Sequence, residues 1–518
     1  MTMIGQYWVT IEKDRCRSWQ QPWKCGACIE ACEHEVFERD AYGRIYVANE
    51  LACVGCKICI EKACPDSCIY VRPTTPETVS RGVWTTQTIE EIHRKAETGE
   101  YELRGFGTMA NLPHFDGLVV VPSQLAGEPP RDKYREPFDM EVVIGEKTCS
   151  KPIRLALPFV LAAMSYGAIS KEGKMAYAVA AARLGTIANT GEGGMFPGEA
   201  MMTHGYDTAR SVKKGVRRWE PGGYLVVQWS TGRWGVSMEY LLASDAIEIK
   251  IGQGAKPGMG GHLLGKKVTL DIAKVRGIPV GTDALSPCRH YDIENVEDLR
   301  TQIEILRDVT NHEKPIMLKL GPARPYQDAC IAVEAGADAI SIDGMAGGTG
   351  ASPDIVTQNV GIPTIACIRQ AAKAIRDLEV MDRVKLIALG GMRNGADAYK
   401  AIALGADVIG FGAAAEIALG CRSCMSCHKG GCHYGLATQD PKFRTCLDVE
   451  SSSQRLANFV SACAEELKIL AMLSGHDDLH TIAIDDIRAL DLNTAAITGA
   501  KLAGLERTFP ESWEKFNK

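Results

Sequence analysis

The sequence predicts an α/β protein built on a TIM (β/α)8 barrel, with a small cysteine-rich module in front of it. Three observations carry this prediction. From residue 111 to about 450, eight short apolar runs alternate with amphipathic, alanine-rich stretches. That is the pattern of repeated βα units around a buried parallel sheet. Most of these runs end in glycine-rich or charged segments, as expected where a barrel gathers its functional loops. Finally, nine of the nineteen cysteines fall within the first 73 residues.

In order, the strand candidates are FVLAAM (159–164), GTIANT (185–190), YLVVQW (224–229), AIEIKI (246–251), IMLKL (316–320), AISID (339–343), VKLIALG (384–390) and DVIGFG (407–412). A ninth run, IPVGTD (278–283), lies in the long interval between the fourth and fifth and reads as part of an inserted excursion. A doubly wound open sheet is the alternative arrangement. Ahead of the barrel, residues 1–73 form the cysteine-rich module, closed by a Pro/Thr-rich linker, RPTTPETVS. A charged stretch, TQTIEEIHRKAETGEYE, makes 74–110 a helical connector. The barrel domain spans 111–450, and 451–518 reads as helices with a polar tail.

Apolar residues make up 46% and charged residues 24%, a balance that buries a large core. A formal charge of -6 points to neither nucleic acid nor an anionic membrane as partner. The opening MTMIGQYWVTIEKDR lacks the basic head and apolar run of a signal peptide, and no uncharged apolar stretch is long enough to span a bilayer. The expectation is a cytoplasmic protein, where clustered CxxC spacing means metal or redox sites rather than disulfides.

Two cysteine blocks stand at the front: Cys16, Cys25, Cys28, Cys32, then Cys53, Cys56, Cys59, Cys64 followed by Pro65. The second block, CVGCKICIEKACP, is similar to the C-x2-C-x2-C-x3-C-P run of bacterial ferredoxins, with one extra residue. The resemblance implies two [4Fe–4S] clusters, each taking its fourth ligand from the other block. One set is then Cys32, Cys53, Cys56 and Cys59; the other is Cys16, Cys25, Cys28 and Cys64. The eight residues RSWQQPWK between Cys16 and Cys25 read as carrying an insertion. Without that reading the first site has three ligands and holds a [3Fe–4S] centre or nothing. Zinc is the competing metal, since CxxC pairs also build zinc ribbons. Cys68 reads as a buried free thiol.

The predicted strand ends carry the barrel's chemistry. They read MSYGAIS (164–170), NTGEGG (189–194), QWSTGRWGV (228–236), KIGQGAKPGMGG (250–261), Lys319, DGMAGGTGASP (343–353), GGMRNG (390–395) and GFG (410–412). Glycines after strands seven and eight free backbone N–H groups for a phosphate, with Arg393 adding charge. Lys250 and Lys319, at the ends of strands four and five, are placed to tune a flavin.

The segments MSYGAISKE, TGEGG, IKIGQGAKPGMGGHL, SPCRHYDIENVEDL, KLGPAR, DGMAGGTGASP, LIALGGMRNGADAYKAIALGADVIGFG and GLATQDP, in this order, resemble the FMN-binding synthase domain of glutamate synthase. The module at the front makes the chain similar to the short, archaeal-type members. The resemblance implies FMN held by Met164, Ser165, Gln228, Lys250, Lys319, Gly344, Gly347, Gly348, Thr349, Gly390, Gly391, Arg393, Gly410 and Gly412. It implies that Glu192 moves a proton or positions ammonia and that Lys256 binds or polarises substrate. It also implies a third cluster, [3Fe–4S], on Cys421, Cys427 and Cys432, which Cys424 would complete to [4Fe–4S]. The departures are Cys424 itself and His433, which stands where the family has proline.

The implied reaction is reductive amination of 2-oxoglutarate by ammonia through 2-iminoglutarate, with electrons relayed through the clusters. No N-terminal cysteine nucleophile or glycine-repeat domain is apparent, so ammonia is expected from a separate glutaminase, beside a glycine-repeat subunit, or free from solution. The electron donor is expected to be an NADPH-oxidising flavoprotein or a ferredoxin, and the assembly an oligomer. N-methylglutamate synthase and a pure electron-transfer subunit are the competing functions.

Overall fold

The computed structural model describes residues 7–73, 86–125, 128–205 and 221–505. Its centre is one eight-stranded parallel sheet. The strands are β1 (Phe159–Leu161), β2 (Ile187–Asn189), β3 (Tyr224–Trp229), β4 (Ala246–Lys250), β5 (Ile316–Leu320), β6 (Ala339–Asp343), β7 (Lys385–Leu389) and β8 (Val408–Phe411). Their ladder runs β2-β3-β4-β5-β6-β7-β8-β1, so strands pair in chain order from β2 to β8 and β8 returns to β1, an order that a doubly wound sheet does not have. All eight predicted strands are present. The run 278–283 forms no strand; it lies in an excursion whose only sheet is the pair His262–Leu263 with Ala284–Leu285.

Leu225, Val226, Val227, Ile247, Ile249, Ile316, Ile340, Ile342 and Leu386 are fully buried. Burial of each such side chain contributes about 1.5–3 kcal/mol. This two-faced burial is why the strands read as continuous apolar runs. The surrounding helices start and stop on recognisable residues. Helix α1 (Lys171–Leu184) is capped by Ser170, whose hydroxyl accepts from Gly173 N at 3.0 Å, and it ends at Gly185 in left-handed backbone, φ 64°. Asn295 caps α2 (Val296–Val309) and Asn394 caps α3 (Gly395–Ala403), each side chain accepting an amide at 2.9 Å.

The ladder is open between β1 and β2, and a buried ammonium closes it. Lys174 Nζ donates to the carbonyls of Met164 (2.8 Å), Asn189 (3.1 Å) and Thr190 (3.4 Å) and pairs with Glu199 at 2.6 Å. The Thr186 hydroxyl donates to the Phe159 carbonyl across the same gap.

Helix α4 (Val449–Leu473) corrects the boundary expected at 450. It begins at Val449 on an Asp448 cap and packs against α1 and α3, and Glu466 accepts from Gly395 N at 2.7 Å. Further on, Ile487–Ala489 pairs antiparallel with Leu118–Val120. The C-terminal segment is therefore a wall of the barrel domain. In the connector, Thr86–Thr98 is helical, and Leu103–Phe106 pairs with Thr349–Pro353 at the barrel mouth. The linker from residue 74 and the tail from 506 lie outside the described residues.

The front module has two antiparallel pairs, Tyr7–Ile11 with Ile69–Pro73 and Phe37–Arg39 with Ile45–Val47. Val9, Val36, Phe37, Ile45 and Ile69 form its core together with Cys16, Cys28, Cys59 and Cys68. It docks on the barrel's cysteine loop. Lys429 Nζ donates to the Glu33 carbonyl at 3.3 Å and lies 3.1 Å from His34 Nδ1, while His34 Nε2 stands 2.9 Å from Ser426 Oγ. No helix among the described residues is long and apolar enough to cross a membrane.

Replacing Lys174 with Met leaves Glu199 buried without its cation. The expected cost is about 3–5 kcal/mol in chemical denaturation. A loss below about 1 kcal/mol would show that the seam does not depend on this ammonium.

Candidate functional site

A pocket opens at the C-terminal ends of the strands, lined by residues from the end of each strand or the loop that follows it. The loop after β2 brings Glu192 into it, and β4 and the excursion that follows bring Lys250, Gln253, Lys256 and Arg276. Glu192 Oε2 accepts from Lys250 Nζ at 3.0 Å and from the Ser286 hydroxyl at 3.4 Å. Lys250 also donates to Gln253 Oε1 at 2.7 Å. Lys256 is 4% exposed and donates to the Ala351 carbonyl at 3.2 Å. Arg276, equally buried, donates to the Tyr166 carbonyl at 2.9 Å and leaves Nε without a partner.

These groups set one another's ionisation. Burial pushes the Glu192 carboxyl up, but Lys250, Lys256 and Arg276 outweigh it and hold it at about 2. Burial draws Lys256 down to about 8, and the nearby Glu192 resists that shift. Burial likewise lowers Arg276 to about 10, so it stays charged at neutral pH. For Lys319 burial is outweighed by Asp343, at 3.4 Å, and Glu248, and its pKa rises. Glu248 is buried inside the barrel and accepts from Asn189, Gln228 and Ser341 at 2.9, 2.8 and 3.0 Å. Three neutral donors thus satisfy this carboxylate, and its contact with Gln228 fixes an amide that lines the pocket.

Of the residues named from sequence, Met164, Ser165, Glu192, Gln228, Lys250, Lys256, Lys319, Gly347, Gly348, Thr349, Gly390, Gly391 and Gly412 line this pocket. Gly390 and Gly391 have φ of 104° and 80°, backbone that excludes larger residues. Gly348 and Gly412 are different. A Cβ there would meet nothing closer than 3.5 Å, so protein packing does not demand glycine, whereas room for a ligand does.

Three expected residues are placed elsewhere. Arg393 makes a bidentate pair with Asp116, at 2.9 and 2.6 Å, and another with Asp397, at 2.8 and 3.0 Å, so its charge is already taken. For the same reason His114, Asp116 and Asp397, though close together, do not form a cation site. Gly344 and Gly410 are glycines for packing, because a Cβ would strike Thr364 at 2.2 Å and Leu389 at 2.6 Å. Glu192 caps no helix. Among the histidines near the barrel mouth, His204 bonds Asp245 at 2.8 Å and His290 lies 2.8 Å from the Lys250 carbonyl, both as scaffold. His262 lines the pocket and bonds Asp283 at 2.9 Å.

Arg276, Gln253 and Ser286 had no signal in the sequence. Gln253 lies in the strand-four end segment but was given no role there, whereas Arg276 and Ser286 belong to the excursion after β4, away from any strand end of the barrel, and only the chain's return over the barrel mouth brings them to Glu192.

The thiols form three groups. One cavity in the module is lined by Cys32, Cys53, Cys56 and Cys59, and another by Cys16, Cys25, Cys28, Cys64 and Cys68. Burial pushes Cys28 and Cys59 up to about 12, with Cys25, Cys16 and Cys64 adding to the first and Cys56, Cys32, Cys53 and Cys28 to the second. The third group is Cys421, Cys424, Cys427 and Cys432, and burial pushes Cys421 to about 12. Cys424 feels both Cys432 and Cys56, and Cys427 lines the large pocket. Each group therefore lies within electrostatic reach of the next, and the third reaches the pocket. His34 also borders one cavity, but both its nitrogens are engaged with Ser426 and Lys429, which leaves an all-thiol donor set.

A barrel with a cationic pocket at its strand ends, backed by buried thiol groups, defines the class of protein. Residues 125–477 match the family model described as the conserved region in glutamate synthase. The chain belongs to the glutamate synthase family, with its short archaeal-type members. It is 36% identical to the archaeal glutamate synthase (NADPH) of Archaeoglobus fulgidus, over 99% of this chain and 96% of that one. It is 39% identical to the archaeal-type glutamate synthase (NADPH) of Thermotoga maritima, over 86% and 88% of the two chains. A glutamate synthase large subunit-like protein of Rhizobium meliloti is also 39% identical, over 84% and 97%.

The cage makes a prediction that needs no turnover. Replacing Glu192 with Gln removes the carboxylate that raises Lys256, so the Lys256 pKa falls below about 8. The fraction of neutral amine at pH 7 then rises several-fold. Acylation of Lys256, followed by mass spectrometry across pH, measures the shift; an unmoved midpoint would show that the two groups are not coupled.

Proposed function

We propose that the protein is the synthase component of an archaeal-type glutamate synthase. It is then an oxidoreductase forming L-glutamate from 2-oxoglutarate and ammonia. The observation that carries this reading is the pocket in which a buried carboxylate, Glu192, is ringed by Lys250, Lys256 and Arg276, with Cys427 in the same wall. A dianionic 2-oxo acid suits two buried cations, and a carboxylate that rests ionised at neutral pH suits an amine nucleophile.

In this reading Arg276 and Lys256 hold the substrate carboxylates. Arg276 has an unpartnered Nε to offer, and Lys256 remains mostly an ammonium below pH 8. Glu192 orients ammonia, takes a proton from the nitrogen as the C–N bond forms and passes it to the former carbonyl oxygen, which leaves as water with a second proton from the same nitrogen. Lys250 and Ser286 keep the Glu192 oxygen aimed. The glycine turns at 347–348, 390–391 and 412, with Met164, Ser165, Gln228 and Lys319, would hold FMN. Cys32, Cys53, Cys56 and Cys59, then Cys16, Cys25, Cys28 and Cys64, would hold two [4Fe–4S] clusters in a ferredoxin-like module. Cys421, Cys424, Cys427 and Cys432 would hold the third, with four thiols favouring [4Fe–4S] over [3Fe–4S]. When bound, FMN supplies the hydride that reduces 2-iminoglutarate, and the clusters supply its electrons singly.

The donor would be an NADPH-oxidising flavoprotein or a ferredoxin, and ammonia would come from a glutaminase subunit or from solution. Anaerobic photoreduction of the holoprotein, followed by 2-oxoglutarate and ammonium, should give glutamate in step with flavin reoxidation. Methylamine in place of ammonium should give far less product. Failure with ammonium and with an added glutaminase source would remove 2-oxoglutarate as substrate; preference for methylamine would make the protein an N-methylglutamate synthase.

The pH dependence has a definite sign. Lys256 loses its charge as pH rises through about 8, so KM for 2-oxoglutarate should rise above that pH. Lys256→Arg should move this rise upward by a unit or more. A KM flat to pH 9.5 would show that Lys256 does not bind the substrate.

A further inference from the structure

Five thiols, not four, line the first cavity of the front module. A cubane takes four, and the fifth, Cys68, is 1% exposed. The Cys28 thiol stands in the field of Cys25, Cys16 and Cys64. Cys68 instead approaches Cys64, with the two sulfurs 3.4 Å apart, and also Cys16. Two thiolates at hydrogen-bonding separation repel each other and leave no room to bind different irons of one cluster. One of the pair must be the ligand and the other a donor.

The backbone decides which. The Cys68 carbonyl accepts from Glu12 N at 2.8 Å, and the next residue, Ile69, opens the strand paired with Ile11. Ser67 immediately before it is in left-handed backbone, φ 49°. Cys68 is thus fixed at the edge of the module's sheet, whereas Cys64 follows the helical turn Cys59–Ala63 and closes the cysteine run directly before Pro65.

We infer that Cys64 is the iron ligand and that Cys68 is a built-in thiol donor, directing its S–H to the Cys64 sulfur to tune the first cluster. The inference rests on the cluster reading proposed above. A hydrogen bond to a ligating sulfur withdraws electron density from it and makes the cluster easier to reduce. Cys68 is a positioning and tuning residue; it touches neither substrate nor FMN. No bond is made or broken, and no co-reactant is needed.

The test is an EPR-monitored redox titration, with iron and sulfide counts, on anaerobically purified full-length holoprotein and its Cys68→Ala and Cys68→Ser variants. Cys68→Ala should keep the wild-type iron content while one module cluster moves to a more negative potential and the other clusters stay put. Cys68→Ser, which keeps a donor, should recover part of that shift. Unchanged potentials in the alanine variant would reduce Cys68 to packing, and loss of one cluster's iron would make it a ligand; either overturns the inference. A wild-type module without iron would instead defeat the cluster reading itself.

Discussion

The attraction between one buried carboxylate and the cations around it organises the mouth of the barrel. Burial pushes the Glu192 carboxyl up, and Lys250, Lys256 and Arg276 outweigh it and keep the group ionised. In return Glu192 keeps Lys256 more basic than burial alone would allow. Each of these groups is anchored by a separate element: the loop after β2, the end of β4, the GAKPG turn and the helix Leu270–Arg276. The barrel supplies the rigid frame, and the excursion after β4 supplies the charges that fold back across it. Loss of one member leaves the others buried without compensation, which couples the local fold to the ionisation on which the chemistry depends.

The thiol groups obey a second constraint, continuity. Cys59 feels the charge of Cys28, Cys424 feels that of Cys56, and Cys427 lines the pocket. The contacts of Lys429, His34 and Ser426 lock the module against the barrel where the second and third groups meet. Lys267 is buried behind this wall and donates to the Cys427 carbonyl at 3.2 Å and the Ala168 carbonyl at 3.0 Å, joining the cysteine loop to the strand-one loop. A fixed arrangement of this kind lets metal centres sit close together without sharing ligands.

The barrel was legible because each strand is buried on both faces and therefore reads as an apolar run, such as YLVVQW at 224–229. The placement of Lys250 and Lys319 at strand ends was legible for the same reason, whereas Glu192 was singled out only by the family resemblance. Arg276 was not, because nothing local distinguishes it from any basic residue in the last turn of a helix, where cations are ordinary. Arg393 was misleading: the glycine-rich turn around it does face the pocket, but Asp116 and Asp397 lie within reach and claim its guanidinium. Gly344 and Gly410 mislead similarly, since tight packing and ligand room both select glycine. The boundary placed at 450 missed a cap, Asp448, that starts α4 two residues earlier.

The central claim is that this cage recognises a dicarboxylate. Titrating 2-oxoglutarate into oxidised holoprotein while following the flavin absorbance tests it without turnover. The account predicts a saturable perturbation in the wild type. In Arg276→Gln it predicts binding weakened at least tenfold, with FMN content unchanged. Equal affinity in both proteins would contradict it and place the substrate elsewhere.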